Sequence, residues 1–192
     1  MIAYKQDNLD EAKKLYEFVL GKNSKNAYAH TGLGQVYHKM GDTINATRHY
    51  NLADKYSVDD NEKQAVAKNG FAFMHQLIYD KIGQKAIGNL ETAIHFNKQA
   101  IKLDDHNADG YNGLGNALVK KGMGYHDKNL CEEGLDYFYA VTEELYSENR
   151  DALEGIEHAK RCLGMNFDEI KSEPLGFQEF MAKLSTGQPF AD

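Results

Sequence analysis

The chain has 192 residues, 42% of them apolar, and a formal net charge of −7, which suits one domain or one short repeat array with a real core. No run approaches 18 apolar residues, which excludes a membrane-spanning helix. The charge is uneven, with 16 Lys/Arg against 14 Asp/Glu over residues 1–126 and 6 against 15 over residues 127–192; such a chain lacks the positive surface that nucleic acid requires.

The first residues, Met1 to Asp7, lack the basic-then-apolar layout of a signal peptide, so a cytoplasmic location is expected; a periplasmic one, or membership of a longer chain, stays open. Residues 3–26 place Leu9, Ala12, Leu15, Tyr16 and Val19 at helical spacing. Residues 27–60 hold Leu33, Gly34, Tyr37, Gly41, Ala46, Tyr50 and Ala53; Gly41-Asp42 reads as one helix end followed by the cap of the next helix. Residues 61–107 close on Ala93, Ala100 and Leu103, and residues 108–149 open on Leu114, Gly115, Leu118 and Gly122. Lys121-Gly122 and Leu163-Gly164 read as further helix ends. Residues 150–171 begin another unit with Ile156 and Ala159, and Phe177, Phe180, Met181 and Leu184 have the spacing of a capping helix over 174–184. Prolines occur only at 174 and 189, so nothing interrupts helices before residue 174.

The run Leu33-Gly34, Tyr37, Ala46, Tyr50 within Ala27–Asp60 resembles the tetratricopeptide repeat (TPR) family, whose period is about 34 residues. Val58 stands where that family carries its closing proline. The resemblance covers residues 3–165 at uneven quality. It implies an all-α fold: a right-handed superhelical α-solenoid of TPR helix-turn-helix repeats over 1–173, with a capping helix and loose tail over 174–192. The units are a partial one at 3–26, then 27–60, 61–107, 108–149 and a partial one at 150–171. It further implies a protein-protein interaction scaffold that holds a peptide or protein partner, with no enzymatic activity, cofactor or metal. Members serve pilus assembly, secretion, signalling and co-chaperone work, and no residue here chooses among these.

Two units depart from the family period. The third is longer by about 11 residues, with its first helix reaching from Glu62 to about Ile82 and Gly70 and Phe73 in the Leu-Gly-aromatic places; the fourth is longer by about 7 residues around Met123–Leu130. Both insertions are close to whole helical turns, so longer helices forming a ridge along one edge are expected. The chain also opens on a half unit, whose apolar face has three explanations: a fragment of a longer array, tolerated fraying, or a homodimer through residues 3–20. The last motivates an alternative function, a structural assembly protein.

In this family the first helices of successive units line a concave groove. The resemblance therefore implies ligand contacts at Tyr28, Thr31, Gln35, His38 and Lys39 in the second unit, and at Gln64, Ala67, Lys68 and Phe71 in the third. In the fourth they fall at Asp109, Asn112, Asn116 and Lys120, and in the fifth at Asp151, Glu154 and Glu157. Gln35, Asn112 and Asn116 can pair with an extended peptide backbone through both donor and acceptor. Thr31, Asp151 and Glu154 stand where a clamp for acidic tails needs basic residues, so a neutral or basic partner is expected.

Other chemistry is weakly encoded. Cys131 and Cys162 form no C-x-x-C pair, and two reduced, buried thiols are expected. The eight histidines show no zinc-binding spacing; His126, Asp127 and Cys131 are the nearest approach, and His30 and His49 read as packing residues. The run Gly110 to Gly115 lacks the strand and Gly-Lys-Ser/Thr ending of a phosphate loop, so close helix packing explains it.

Overall fold

The computed structural model describes residues 9–165, and within them the chain is all-helical. The elements are α1 (Leu9–Lys22), α2 (Ala27–Lys39), α3 (Thr43–Tyr56), α4 (Asn61–Ile82), a 3-10 turn (Gly83–Ala86), α5 (Gly88–Leu103), α6 (Ala108–Tyr125), α7 (Lys128–Tyr139) running into a π turn (Ala140–Leu145), and α8 (Arg150–Leu163). The expected capping helix and tail lie outside the described residues, as do the first eight residues.

Short polar side chains start nearly every helix. The side chains of Asn26, Asp42, Asp60, Asn107, Asp127 and Asn149 each accept a backbone N–H from the first turn of the following helix. The even-numbered helices end at residues with positive φ, namely Gly41, Gly83, His126 and Gly164. Gly122 is not a helix end. It lies inside α6, where a Cβ would sit 2.5 Å from the Cys131 sulfur and 2.8 Å from the Asp127 carbonyl. His126 takes the left-handed position instead, so α6 gains an extra turn and α7 starts at Lys128.

Consecutive helices pack against each other throughout, and α2, α4, α6 and α8 also touch in series. Glycines and large side chains interlock at these crossings. The Tyr50 ring of α3 lies between Gly34 of α2 and Gly70 of α4, the Phe138 ring of α7 between Gly115 of α6 and Gly155 of α8, and Tyr16 of α1 against Gly32 of α2. In each case a Cβ on the glycine would occupy the ring's place. At the corresponding contact with Gly113 of α6, α5 presents Asn97.

This interlock corrects the alignment of the third unit. Gly70 meets the preceding Tyr50 as Gly32 meets Tyr16, so Gly70 takes the place of Gly32, not that of Gly34. Relative to these glycines, α4 begins four residues earlier than α2 and runs five residues further, while α6 is extended by five residues at its end alone. The expected lengthening of both middle units is thus helical, and no loop spans 123–130 apart from the His126-Asp127 turn.

Large apolar side chains gather in three cores, one of them Tyr50 and Met74 with Ala46 between α3 and α4. Tyr111, Leu114, Tyr137, Phe138, Val141 and Ile156 belong to one core between α5 and α8, and Tyr16, Leu33 and Val36 anchor another around α1 and α2. Between them a small cluster has only Ala72, Ala93 and Ala117 as its buried members. The cysteines are not two separate thiols: Cys131 of α7 and Cys162 of α8 form a disulfide with Cα atoms 6.1 Å apart. The stacking of α7 on α8 creates this proximity, which spacing along the chain does not reveal.

Candidate functional site

The exposed face of the even-numbered helices holds most of the residues expected to bind a ligand, but they divide sharply. On α2, Tyr28 and Lys39 are exposed, Gln35 and His38 are half-buried, and Thr31 is buried. The His38 ring lies 6.2 Å from the Phe73 ring of α4, and its Nδ1 lies 3.3 Å from the Met74 sulfur. Burial lowers the His38 pKa, and the nearby ammonium groups of Lys39 and Lys81 lower it further, so it is neutral at neutral pH.

The two-residue correction removes the third-unit candidates from this face. Ala67 is buried, and Lys68 turns back to pair with Asp54 of α3 at 2.8 Å. Phe71 packs against Tyr50 and Phe96 at ring distances of 6.1 and 5.2 Å. Gln64 is half-buried in the added first turn of α4. The positions matching Tyr28, Thr31 and Gln35 are Val66, Asn69 and Phe73, and of these Phe73 is exposed. A glycine-to-ring pairing carries this signal, and a search for a Leu-Gly pair misses it.

Asn112 is not a free contact residue. It is 4% exposed, and its Nδ2 donates to Asn149 Oδ1 at 3.0 Å, the same oxygen that caps α8. Asn69 repeats the arrangement one unit earlier, with its Nδ2 donating to Asn107 Oδ1, the cap of α6, at 2.8 Å. These asparagines hold the next helix of the series in place. Asn116 remains half-buried on the face, and Lys120 pairs with Asp80 of α4 at 2.8 Å.

Towards α8 the face becomes acidic. Asp109 and Asp151 occupy the first turns of α6 and α8, and Glu154 pairs with Arg150 at 2.9 Å. The Asp109 side chain is exposed at the start of α6, with neighbouring protein on part of its surroundings. That surrounding holds its carboxyl above the ordinary range, and repulsion from Asp151 adds to the effect. Glu154 and Glu157 both line an open cleft of 470 Å³ with Tyr139, Leu153 and Lys160.

His30 and His49 do pack inside the repeat, as expected, with Nδ1 atoms 3.0 Å apart and His30 Nε2 on the Ser24 carbonyl at 3.1 Å. His49 stacks on Tyr37, and burial lowers its pKa to about 4, aided by His30 and Arg48. Cys131 belongs to the disulfide and offers no thiol beside His126 and Asp127. One trio, Asp104, Asp105 and His106, is close enough together to hold a metal ion, but it is solvated on the α5–α6 turn. No described helix is long and apolar enough to cross a membrane. Compared with known proteins, the chain matches no protein-family model and no curated protein.

Proposed function

We propose that this chain is a TPR-like α-solenoid adaptor that binds an extended peptide or protein segment along the exposed face of α2, α4, α6 and α8. The observation that carries the reading is the serial contact of those four helices, with no comparable series among α1, α3, α5 and α7. When one row of helices sits closer together than the other, the stack curves with the close row inside, which makes that face a concave groove. The groove runs from an aromatic end at Tyr28, His38 and Phe73 to an acidic end at Asp109 and Asp151. A neutral or basic segment fits this gradient.

Photo-crosslinking tests the reading. A crosslinking amino acid at 73 or 116 should capture the partner, and the same group at Lys98 on α5 should not. Equal capture from all three positions would sink the groove assignment. A second reading, self-assembly through the first helix, is favoured by the exposed Leu15 and Phe18 of α1. Light scattering that gives a monomer at high concentration removes it.

A further inference from the structure

The extra turns of α4 and α6 build a surface apart from the groove. Both helices run five residues further past their ring-contacting glycines than α2 does, a rise of about 7 Å at 1.5 Å per residue. Three turns therefore share one edge: α2–α3, α4–α5 and α6–α7. Their continuity is visible in the contacts. A Cβ on Gly41 would lie 3.8 Å from Lys81 Nζ, Lys120 pairs with Asp80, and Gln84 Nε2 donates to the Gly124 carbonyl at 2.8 Å.

This edge is apolar and basic. Ile44 is 82% exposed, Ile82 58% and Tyr125 53%, and Met40 and Met123 are exposed beside them. Together they make up five of the twelve large hydrophobic residues exposed among the described residues, gathered on three turns. Single exposed apolar residues are ordinary, but five gathered on three adjoining turns are not. The edge's carboxylates are already committed: Asp42 and Asp127 cap helices, while Asp80 and Glu91 pair with Lys120 and Lys121. Lys81, Lys85 and Lys128 are exposed and enter no ion pair among the described residues. A chain of net charge −7 thus presents a locally positive apolar edge.

We propose that this edge is a second docking surface, for an amphipathic helical segment of a partner protein with an aliphatic face flanked by carboxylates. Charge complementarity selects the carboxylates, and the row of Ile, Met and Tyr side chains selects the aliphatic face. Three neighbouring helices spaced about 8–10 Å apart span roughly 20 Å, the length of a helix of about 13 residues. The committed carboxylates along the strip oppose a broad anionic lipid surface and favour a narrow segment whose own charges avoid them.

Panning a displayed library of random 16-residue peptides on the folded chain tests the proposal, with the selected peptides measured by fluorescence anisotropy. The expected winners carry Leu or Ile at i, i+3, i+4 and i+7 between Asp and Glu. Their affinity should fall at least tenfold with Ile82→Ser plus Met123→Ser, and at least fivefold with Lys81→Glu plus Lys85→Glu. It should be unchanged by Phe73→Ala plus Asn116→Ala, which separates this surface from the groove. No enrichment, basic winners, or loss of binding only in the groove variant would each overturn the proposal. So would sedimentation with phosphatidylserine vesicles that depends on Ile82 and Lys81, or a dimer abolished by the same substitutions. Circular dichroism melts within 2 °C of the parent establish that the variants fold, and Tyr125→Ser replaces any variant that does not.

Discussion

Helices α3 and α5 hold the same station in adjacent units and fill it with opposite chemistry. In α3, the Tyr50 ring is 1% exposed and wedged between two glycines, and its phenol pKa is raised by burial. In α5 the side chain against the glycine is Asn97, also 1% exposed, and neither of its polar atoms has a hydrogen-bond partner among the described residues. Asn69 Oδ1 and Asn107 Nδ2, on the flanking helix and its neighbour's cap, likewise have none among the described residues. A large ring locks one junction through apolar contact, while the other closes on alanines, Ile94 and Phe96 around the Asn97 amide. The two junctions are therefore closed differently, one by a single large ring and the other by several smaller groups around an amide.

The strongest way to break this contrast is Tyr50→Ala. Loss of a fully buried ring should cost about 3–5 kcal/mol in chemical denaturation, whereas Asn97→Ala should cost under about 1 kcal/mol because it removes orphaned polar atoms with the volume. Equal losses would abolish the distinction. Next in size is the disulfide at the far end, which spans 31 residues. Chain entropy gives it about 3–4 kcal/mol, so dithiothreitol should lower the melting temperature of the parent and leave that of a Cys131→Ser, Cys162→Ser variant unmoved.

A smaller effect separates the α2–α3 end by pH. The folded pKa of His49 lies at about 4, below the ordinary value of 6.5, so the folded state binds fewer protons than the unfolded chain between those values. Its contribution is complete above pH 6.5 and is lost as pH falls towards 4. Urea midpoints should decline more steeply over that window in the parent than in His49→Phe, which keeps the stack on Tyr37 without a titrating group. The smallest change sharpens the picture of the asparagine series: Asn149→Ala should cost about 1 kcal/mol as a lost cap. It should also speed amide exchange in the first turn of α8 more than anywhere else.

Much of the framework is legible in the chain because its signals are local. Gly41-Asp42 marks a helix end and a cap through backbone chemistry alone, and the spacing of Leu33, Gly34, Tyr37 and Tyr50 places the helix pair correctly. The long first helix of the third unit follows from uninterrupted helical spacing. What stays hidden depends on contacts between distant segments. The third unit lacks a Leu-Gly pair, so its alignment becomes visible only when Gly70 is seen against the Tyr50 ring. Thr31 and Asn112 read from the sequence as exposed-face residues, but both are buried, and for Asn112 the bond to the cap of the next even-numbered helix is the reason. The left-handed His126 was hidden for another reason, since nothing local sets it apart from Gly122 as a stop.

The asparagine bonds have a consequence for how the molecule comes together. The oxygen that starts α6 is gripped by α4, and the oxygen that starts α8 is gripped by α6. Starting a helix is its least favourable step, and here each start is steadied by a segment synthesised earlier. During synthesis from the ribosome, the asparagine that steadies the start of α6 or α8 is therefore in the chain before that helix is. The dependence runs one way at these two junctions: the start of α6 leans on α4 and the start of α8 leans on α6, each on a segment that precedes it in the chain.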